Sequence, residues 1–189
     1  MRMDPTSPLT AHAVVNEYAE RDLSRVLRVY GEERFAGRVA RSIIAARPIE
    51  TTDRLADVVK DAIPAATRRT GGHPARRTFQ ALRIEVNGEL RALEKVLPSV
   101  TSVLEPGGRA VVLSYHSLED RMVKRHFAAE SQGCTCPPDF PVCVCGAEAR
   151  VRVLTRKPAR PSPREIEDNP RASAARLRAV EKLAAGATP

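Results

Sequence analysis

The feature that most constrains the fold is a turn, an apolar run, a polar corner and a helical pattern, in that order, over residues 105–127. The run from Arg109 to Tyr115 is too apolar to alternate, which predicts a strand covered on both faces. Ser117 suits the N-cap of the next helix, and Asp120 supplies the carboxylate of a capping-box variant. A strand followed by a helix in this way is half of a β-α unit and favours an α/β fold.

The polar corner between this strand and helix is the first candidate for a functional surface. It reads Ser114, Tyr115, His116 and Ser117. Open α/β sheets bind ligands at the carboxyl ends of their strands, where this corner would lie. The alternative is a well-capped turn that has no function beyond joining the two elements.

The basic residues favour a polyanionic partner. The net charge is +8, and 26 of the 31 basic residues are arginine, whose planar guanidinium suits phosphate. The alternative is a GC-rich genome, which raises the arginine and alanine content of solvated surfaces without any function. Aromatic residues make up only 4% of the chain, which argues against a base-stacking platform. Because no apolar run reaches the length of a membrane span and no signal pattern is present, we expect a soluble, cytoplasmic protein.

Apolar periodicity predicts four short helices before residue 65. Thr10 can cap the first, Gly31 is expected to end the second, Pro48 stops the third, and Thr51-Thr52 open the fourth. The apolar stripes of the second, third and fourth helices contain Leu23, Val26, Leu27, Tyr30, Phe35, Val39, Ile43, Leu55, Val58, Val59 and Ile63. Since no strand pattern interrupts them, these helices predict a helical subdomain.

The loop over residues 65–77 concentrates positive charge around a Gly-Gly turn. It carries Arg68, Arg69, His73, Arg76 and Arg77. Guanidinium groups beside glycine amides can bind phosphate, although a solvated charged loop fits the charge equally well. The helix that follows keeps one face apolar for about five turns, with an Asn-Gly pair at 87–88 that predicts a kink or a close approach of another backbone or ligand. Pro98 is expected to restart this helix.

All four cysteines fall within twelve residues, in a CxC-x6-CxC pattern. They are Cys134, Cys136, Cys143 and Cys145. Clustered thiols in a cytosolic chain favour a metal over a disulfide, and four thiolates suit a structural, tetrahedral Zn²⁺. The CxC spacing is less typical of zinc than CxxC, so free thiols and a disulfide pair remain alternatives.

The last forty residues predict a strand at Ala149–Thr155, a short helix capped by Ser162, and a segment at 173–183 that alternates like a strand but could also be helical. We expect that segment to pair with the 149–155 strand as a hairpin.

Several runs together resemble one known family. They are GEERFAGRVARSI, ARPIETT, TGGHPARRTFQALRIEVNGEL, LEPGGRAVVLSYHSLEDRMVKRHF, CTCPPDFPVCVCG and KPARPSPREIEDNPRASAARLRAVEK. In this order and over nearly the whole chain, they resemble the RsmH (MraW) family of S-adenosylmethionine-dependent methyltransferases. The family acts on the exocyclic N4 of a cytosine in 16S rRNA of the small ribosomal subunit.

The resemblance also implies a missing part. Family members carry an N-terminal Rossmann-like half that holds the cofactor motifs, and none of those motifs is found here. We therefore expect a C-terminal portion of a longer enzyme, inactive alone: residues 1–8 as a lead-in, 9–73 as the helical substrate-recognition subdomain, and 74–189 as the second half of the methyltransferase domain. The implied fold is α/β, a partial Rossmann-like class I methyltransferase sheet with an inserted α-helical subdomain.

The resemblance leaves this chain the substrate side of the site. Ser114, His116, Ser117 and Asn87 are candidates to line it, with no catalytic residue assigned and no cofactor-binding residue. His116 is more consistent with a helix cap, or with a role in supporting the residues that line the site, than with a proton acceptor. The family usually has Phe where Tyr115 stands, which keeps a ring at that position.

The candidates for RNA contact are all basic: Arg68, Arg69, His73, Arg76, Arg77, Arg121 and Lys124. Two other interpretations remain beside an rRNA methyltransferase part. One is a stand-alone RNA-binding module without catalysis. The other is a truncation that folds poorly because the 109–115 strand has an unpaired edge.

Overall fold

A computed structural model describes residues 1–67, 72–133, 136, 145 and 147–186. The chain divides into two compact units, Met1–Glu89 and Leu90–Pro189. Each unit has its own apolar core. No helix in the described part of the chain is long and apolar enough to cross a membrane.

The first unit is helical, and its four predicted helices are confirmed. The unit contains α1 (Ala11–Glu17), α2 (Glu20–Gly31), α3 (Ala36–Ala45), α4 (Thr52–Ala62), a 3₁₀ turn (Ala65–Thr67) and α5 (Arg76–Asn87). Thr10 and Thr51 cap α1 and α4, because their hydroxyls accept hydrogen bonds from the amides of Ala13 and Arg54. The predicted apolar stripes supply one core, whose fully buried members include Val14, Leu23, Leu27, Ile43, Val59 and Leu82.

Gly31 is the last residue of α2, as the sequence predicted, but the left-handed position that follows the helix falls on Glu32, with φ of 47°. A Cβ at Gly31 would lie 2.7 Å from the Arg77 carbonyl oxygen on α5. The glycine is therefore required for the close approach of α2 and α5, and not for its freedom to adopt positive φ.

The Asn87-Gly88 pair ends a helix instead of kinking one. Gly88 has φ of 60° and donates its amide to the Ile84 carbonyl, so it terminates α5 in the left-handed conformation. A separate helix, α6 (Glu89–Ser102), begins at the next residue. Pro98 lies inside α6, so the predicted restart at Pro98 is wrong.

The second unit contains a three-stranded antiparallel sheet of order β1-β3-β2. Its strands are β1 (Arg109–Ser114), β2 (Val151–Val153) and β3 (Arg176–Lys182). The predicted hairpin partners are confirmed, because β2 pairs with β3. The sequence did not reveal that β3 also pairs with β1, placing Ser114 opposite Arg176 and Arg109 opposite Glu181.

Two further helices and a 3₁₀ helix complete this unit: α7 (Ser117–Glu130), α8 (Pro163–Asp168) and Pro170–Ala174. Ser162 caps α8 as predicted, its hydroxyl accepting from the Glu165 amide. The core beneath α7 joins Val123 and Phe127 to Val151 and Val180.

The expectation that β1 is covered on both faces is wrong for the described residues. Ala110 and Ser114 are buried, but Val111 is 60% exposed and Leu113 51% exposed. Side chains alternate across a strand, so one face of β1 packs on the core and the other is open. β1 is also an edge strand of the described sheet.

Candidate substrate-side site

The predicted corner lies at the carboxyl end of β1, where the chain enters α7. Ser114, the last residue of β1, is 2% exposed, whereas the Tyr115 ring is 54% exposed. His116 and Ser117 follow at the helix start, so the structure brings Ser114, His116 and Ser117 together within one turn of chain.

His116, and not Ser117, is the N-cap of α7. Its Nδ1 accepts a hydrogen bond from the Glu119 amide at 3.3 Å. In return the Glu119 carboxylate accepts from the amides of Tyr115 (2.9 Å) and His116 (3.2 Å), completing a capping box. The expected cap role of His116 is confirmed. Because Nδ1 already accepts an N–H, that nitrogen is not available to receive a proton from a substrate.

Asp120 is not the capping carboxylate that the sequence predicted. It is buried, and it accepts two hydrogen bonds from Arg178, at 2.7 and 3.2 Å, and one from Arg176 at 3.2 Å. The Arg178 hydrogen bond is the main cause that holds the pKa of Asp120 below its ordinary value, although burial opposes it. This carboxylate ties α7 to β3.

The two arginines of this ion-pair cluster were missed by the sequence reasoning. A signal existed, because Arg176 and Arg178 are two residues apart and therefore share one face of a strand. Arg178 is only 6% exposed, and a buried guanidinium requires a carboxylate partner. The sequence alone does not identify that partner, since Asp120 is 58 residues away.

Asn87, the fourth substrate-side candidate, lies in the helical unit and binds the beginning of the chain. Its Oδ1 accepts from the Met3 amide at 2.8 Å, and its Nδ2 donates to the carbonyls of Met1 (2.9 Å) and Arg83 (2.8 Å). The close approach of another backbone that the Asn-Gly pair predicted is therefore the lead-in segment. The side chain positions that segment at the end of α5.

The basic loop is described except for residues 68–71. His73, Arg76 and Arg77 are exposed at the start of α5, where Arg77 also donates to the Glu32 carbonyl at 3.3 Å. His73 Nδ1 accepts from the Ala75 amide. Arg68 and Arg69 lie outside the described residues.

The other candidates fall in the second unit. Arg121 and Lys124 are exposed and three residues apart on α7, so they share one face of that helix. The zinc prediction depends on all four cysteines, and Cys134 and Cys143 lie outside the described residues. It therefore stays a prediction.

The described residues of the corner do not fit an S-adenosylmethionine site. Ribose hydroxyls are typically held by an acidic side chain at the end of a strand. Both carboxylates at the start of α7 are already engaged, Glu119 by backbone amides and Asp120 by arginines. The corner thus offers polar groups to a substrate but no acceptor of the kind a nucleoside cofactor needs.

Comparison with known proteins agrees with the resemblance. Residues 1–183 match the model of the MraW methylase family. The chain is 58% identical to "Ribosomal RNA small subunit methyltransferase H" of Symbiobacterium thermophilum, over 98% of this chain and 59% of that protein. Proteins of the same name from Heliobacterium modesticaldum and Acidothermus cellulolyticus are 55% and 59% identical over 97% of this chain and 59% and 56% of their own lengths. The chain thus spans less than two thirds of these relatives, and it belongs to the MraW methylase family.

Proposed function

We propose that this chain supplies the substrate side of an enzyme that transfers a methyl group from S-adenosylmethionine to N4 of a cytosine in 16S rRNA. The observation that carries the proposal is the family match over residues 1–183, together with relatives that are named as small-subunit rRNA methyltransferases. The Rossmann-like sheet and the 9–73 and 74–189 division belong to the same proposal. A cytoplasmic location is also part of the proposal, because ribosomal RNA is made in the cytoplasm.

The chemistry asks for positioning more than for a base. The lone pair of an aromatic amine is delocalised into the ring, so the N4 proton can leave after the new bond forms. The main demand is then to hold the acceptor in line with the methyl group. S-adenosylmethionine supplies that methyl group in the whole enzyme, and the described residues of this chain serve the RNA instead.

We assign the substrate contacts to two sets of residues. In the helical unit, the exposed His73, Arg76 and Arg77, with Arg68 and Arg69, contact phosphates. In the second unit, the corner of Ser114, His116 and Ser117 lines the pocket for the target base, and Arg121 and Lys124 add phosphate contacts. Asn87 acts on the first unit by fixing the lead-in segment, as its three hydrogen bonds support.

A chimera tests this proposal. Residues 1–183 would replace the matched region of the Symbiobacterium thermophilum relative, and the product would be incubated with radiolabelled S-adenosylmethionine and unmodified small-subunit rRNA. We expect N4-methylcytidine in the nucleoside digest. An inactive but folded chimera, with the unaltered relative active beside it, contradicts the proposal. Asn87→Ala in the active chimera should lower activity because it releases the lead-in segment, whereas Asn16→Ala, which removes an asparagine that binds Ile49 instead, serves as the matched control.

A second candidate function is RNA binding without catalysis. It is favoured by the engagement of both corner carboxylates, which leaves the described corner without a ribose acceptor. Calorimetry on the 189-residue chain tests what the two candidates share. RNA binding without S-adenosylmethionine binding fits both, whereas tight binding of S-adenosylmethionine to this chain alone contradicts the cofactor assignment. RNA binding by the chain with an inactive chimera selects the second candidate.

The structural zinc site stays part of the proposal. Metal analysis of protein purified without chelator should find about one zinc per chain, as a four-thiolate site binds a single ion. The variant Cys134→Ser with Cys143→Ser should lose it. If the wild-type chain contains no zinc above background, the prediction of a structural zinc site is wrong.

A further inference from the structure

A basic groove in the second unit is not used by the proposed base pocket. It lies between the C-terminal half of α7 and the segment that begins at β2, and its volume is about 600 Å³. That volume falls within the roughly 300–1,000 Å³ that small-molecule sites occupy. Its walls carry four cationic side chains, Lys124, Arg152, Arg156 and Arg178, and among the described residues no acidic side chain lines it.

Two of these cations are neutralised and two are not. Arg178 binds Asp120, and Arg152 binds Glu181 at 2.6 Å. Within the part of the chain that the structure describes, Lys124 and Arg156 make no ion pair with a carboxylate, and both are exposed. The groove therefore presents an excess of positive charge that an anion can neutralise.

The rest of the lining indicates which part of a nucleic acid would fit. Phe127 is only 2% exposed, so its ring is part of the floor and is not presented for base stacking. The Thr155 hydroxyl accepts from the Ala179 amide at 2.8 Å and keeps its own proton to donate. Cations and a hydroxyl donor without an exposed ring suit phosphate oxygens more than bases.

We propose that this groove binds the phosphate backbone of RNA, with Lys124 and Arg156 as the principal contacts. The inference rests on the proposed function, since the ribosomal RNA substrate supplies the strand. It adds Arg156 and Thr155 to the RNA contacts and gives the second unit an RNA surface separate from its corner. Its role is to hold the strand beyond the target base, without reading sequence.

Fluorescence anisotropy with the 189-residue chain and a labelled single-stranded RNA of about 20 nucleotides tests the groove. The test variant is Lys124→Ala with Arg156→Ala. The matched control is Lys95→Ala with Arg91→Ala, which removes the same charges from an exposed face of α6 outside the groove. We expect about tenfold weaker binding for the groove variant and less than about twofold for the control.

Salt dependence adds a second readout. Each lost phosphate contact lowers the slope of log K against log salt by about 0.7 for a single strand, so the groove variant should lose about 1.4. The charge-conserving variant Lys124→Arg with Arg156→Lys should keep most of the affinity. Equal losses for the groove and control variants would reveal general attraction and overturn the groove.

The outcomes for the groove and for the proposed function are distinguishable. Binding that falls with Arg76→Ala and Arg77→Ala, but not with the groove variant, overturns the groove alone. No RNA binding by the wild-type chain overturns the groove proposal, while the chimera still decides the methyltransferase proposal independently. Circular dichroism checks that the groove variant is folded, since its spectrum must match that of the wild type. If the spectra differ, the charge-conserving variant is used to test the groove instead.

Discussion

The two units of this chain build their interiors differently. Among the described residues, the core cluster of the helical unit contains nineteen buried apolar side chains, whereas the core cluster of the sheet unit contains six. The sheet unit also buries a charged pair, Asp120 and Arg178, and exposes Val111 and Leu113 on the open face of β1. An apolar core is stabilised by burial alone, but a buried ion pair depends on both of its partners.

This difference suggests how each unit fails. Removing one apolar side chain from the helical unit leaves a cavity, and the cost depends on how far its neighbours relax. Removing one partner of the Asp120–Arg178 pair leaves a buried, uncompensated charge. The stability of the first unit should therefore depend mainly on side-chain volume, and the stability of the second unit on charge and pH.

The largest expected effect comes from Leu27→Ala in α2. Leu27 is fully buried, so the substitution should lower the free energy of unfolding by about 3 kcal/mol. Urea unfolding measures this, and hydrogen exchange read by mass spectrometry assigns it to peptides of the helical unit. Leu113→Ala in β1 is the control: at 51% exposure it should cost less than about 0.5 kcal/mol. Equal costs would mean that the open face of β1 is packed in solution.

The next largest effect is expected for Asp120→Asn, which should lower the free energy of unfolding by about 2 kcal/mol. This is less than the roughly 3–5 kcal/mol that breaking a fully buried ion pair costs, because Arg176 is partly exposed and the asparagine amide still accepts a hydrogen bond. Since the folded state lowers the pKa of Asp120, its contribution is complete above the unfolded pKa of about 3.9 and is lost as pH falls through the folded value. The wild-type chain should thus lose stability in the sheet unit below about pH 4, and the variant should lose less.

Asp57→Asn in α4 is the control for that experiment, because Asp57 is exposed and in the other unit. Urea titrations at neutral and acid pH, with hydrogen exchange of β3 peptides, give the readout. A variant that keeps the full acid sensitivity of the wild type would show that the Asp120 pair is not its source.

The smallest effect is expected at Tyr18, which donates its hydroxyl proton to Glu85 at 2.9 Å in the helical unit. Burial is the main cause that raises the pKa of Tyr18, and the Glu85 hydrogen bond adds to it. The Tyr18 hydroxyl therefore contributes its full stabilisation of the fold below about pH 10, the pKa of tyrosine in the unfolded chain. This stabilisation is lost as pH rises through the pKa of Tyr18 in the folded state. Tyr18→Phe should cost about 1 kcal/mol near neutrality and reduce the alkaline loss of stability.

Tyr30→Phe is the comparison for that measurement, because only the backbone carbonyl of Tyr30 has a described hydrogen bond from a side chain, that of Gln80. Unfolding at pH 7 and above about pH 10 provides the data. If Tyr18→Phe and the wild type lose the same stability at alkaline pH, Tyr18 is not the source of that loss.

The sequence predicts those features of the fold that depend on residues close together in the chain. The helices follow from apolar spacing and from caps such as Thr10, Thr51 and Ser162, whose partners lie three residues away. The sequence placed Gly31 at the end of α2 but did not show why a glycine is needed there, because the contact that needs it comes from Arg77 on another helix. The open face of β1 was missed for a related reason, since an apolar run does not say which of its faces finds a partner.

The candidate site follows the same division. The position of the corner at a strand end and the cap role of His116 were readable from local pattern. The engagement of Asp120 was not, because its arginines arrive on a strand 56 and 58 residues later. The groove was also invisible, since Lys124 and Arg156 become neighbours only when β2 pairs with β3 and packs beside α7.

The central place of β3 has a consequence for the chain during its synthesis. β1, α7 and β2 all leave the ribosome before the strand that joins them, so the sheet cannot close until β3 emerges. At roughly 5–20 residues per second, Asp120 waits about three to twelve seconds for Arg178. Throughout that interval β1 has neither of its hydrogen-bonding edges paired within the sheet, whereas the helical unit has already been synthesised and can fold. The nascent sheet unit is the part of this chain that most needs protection from association with other chains.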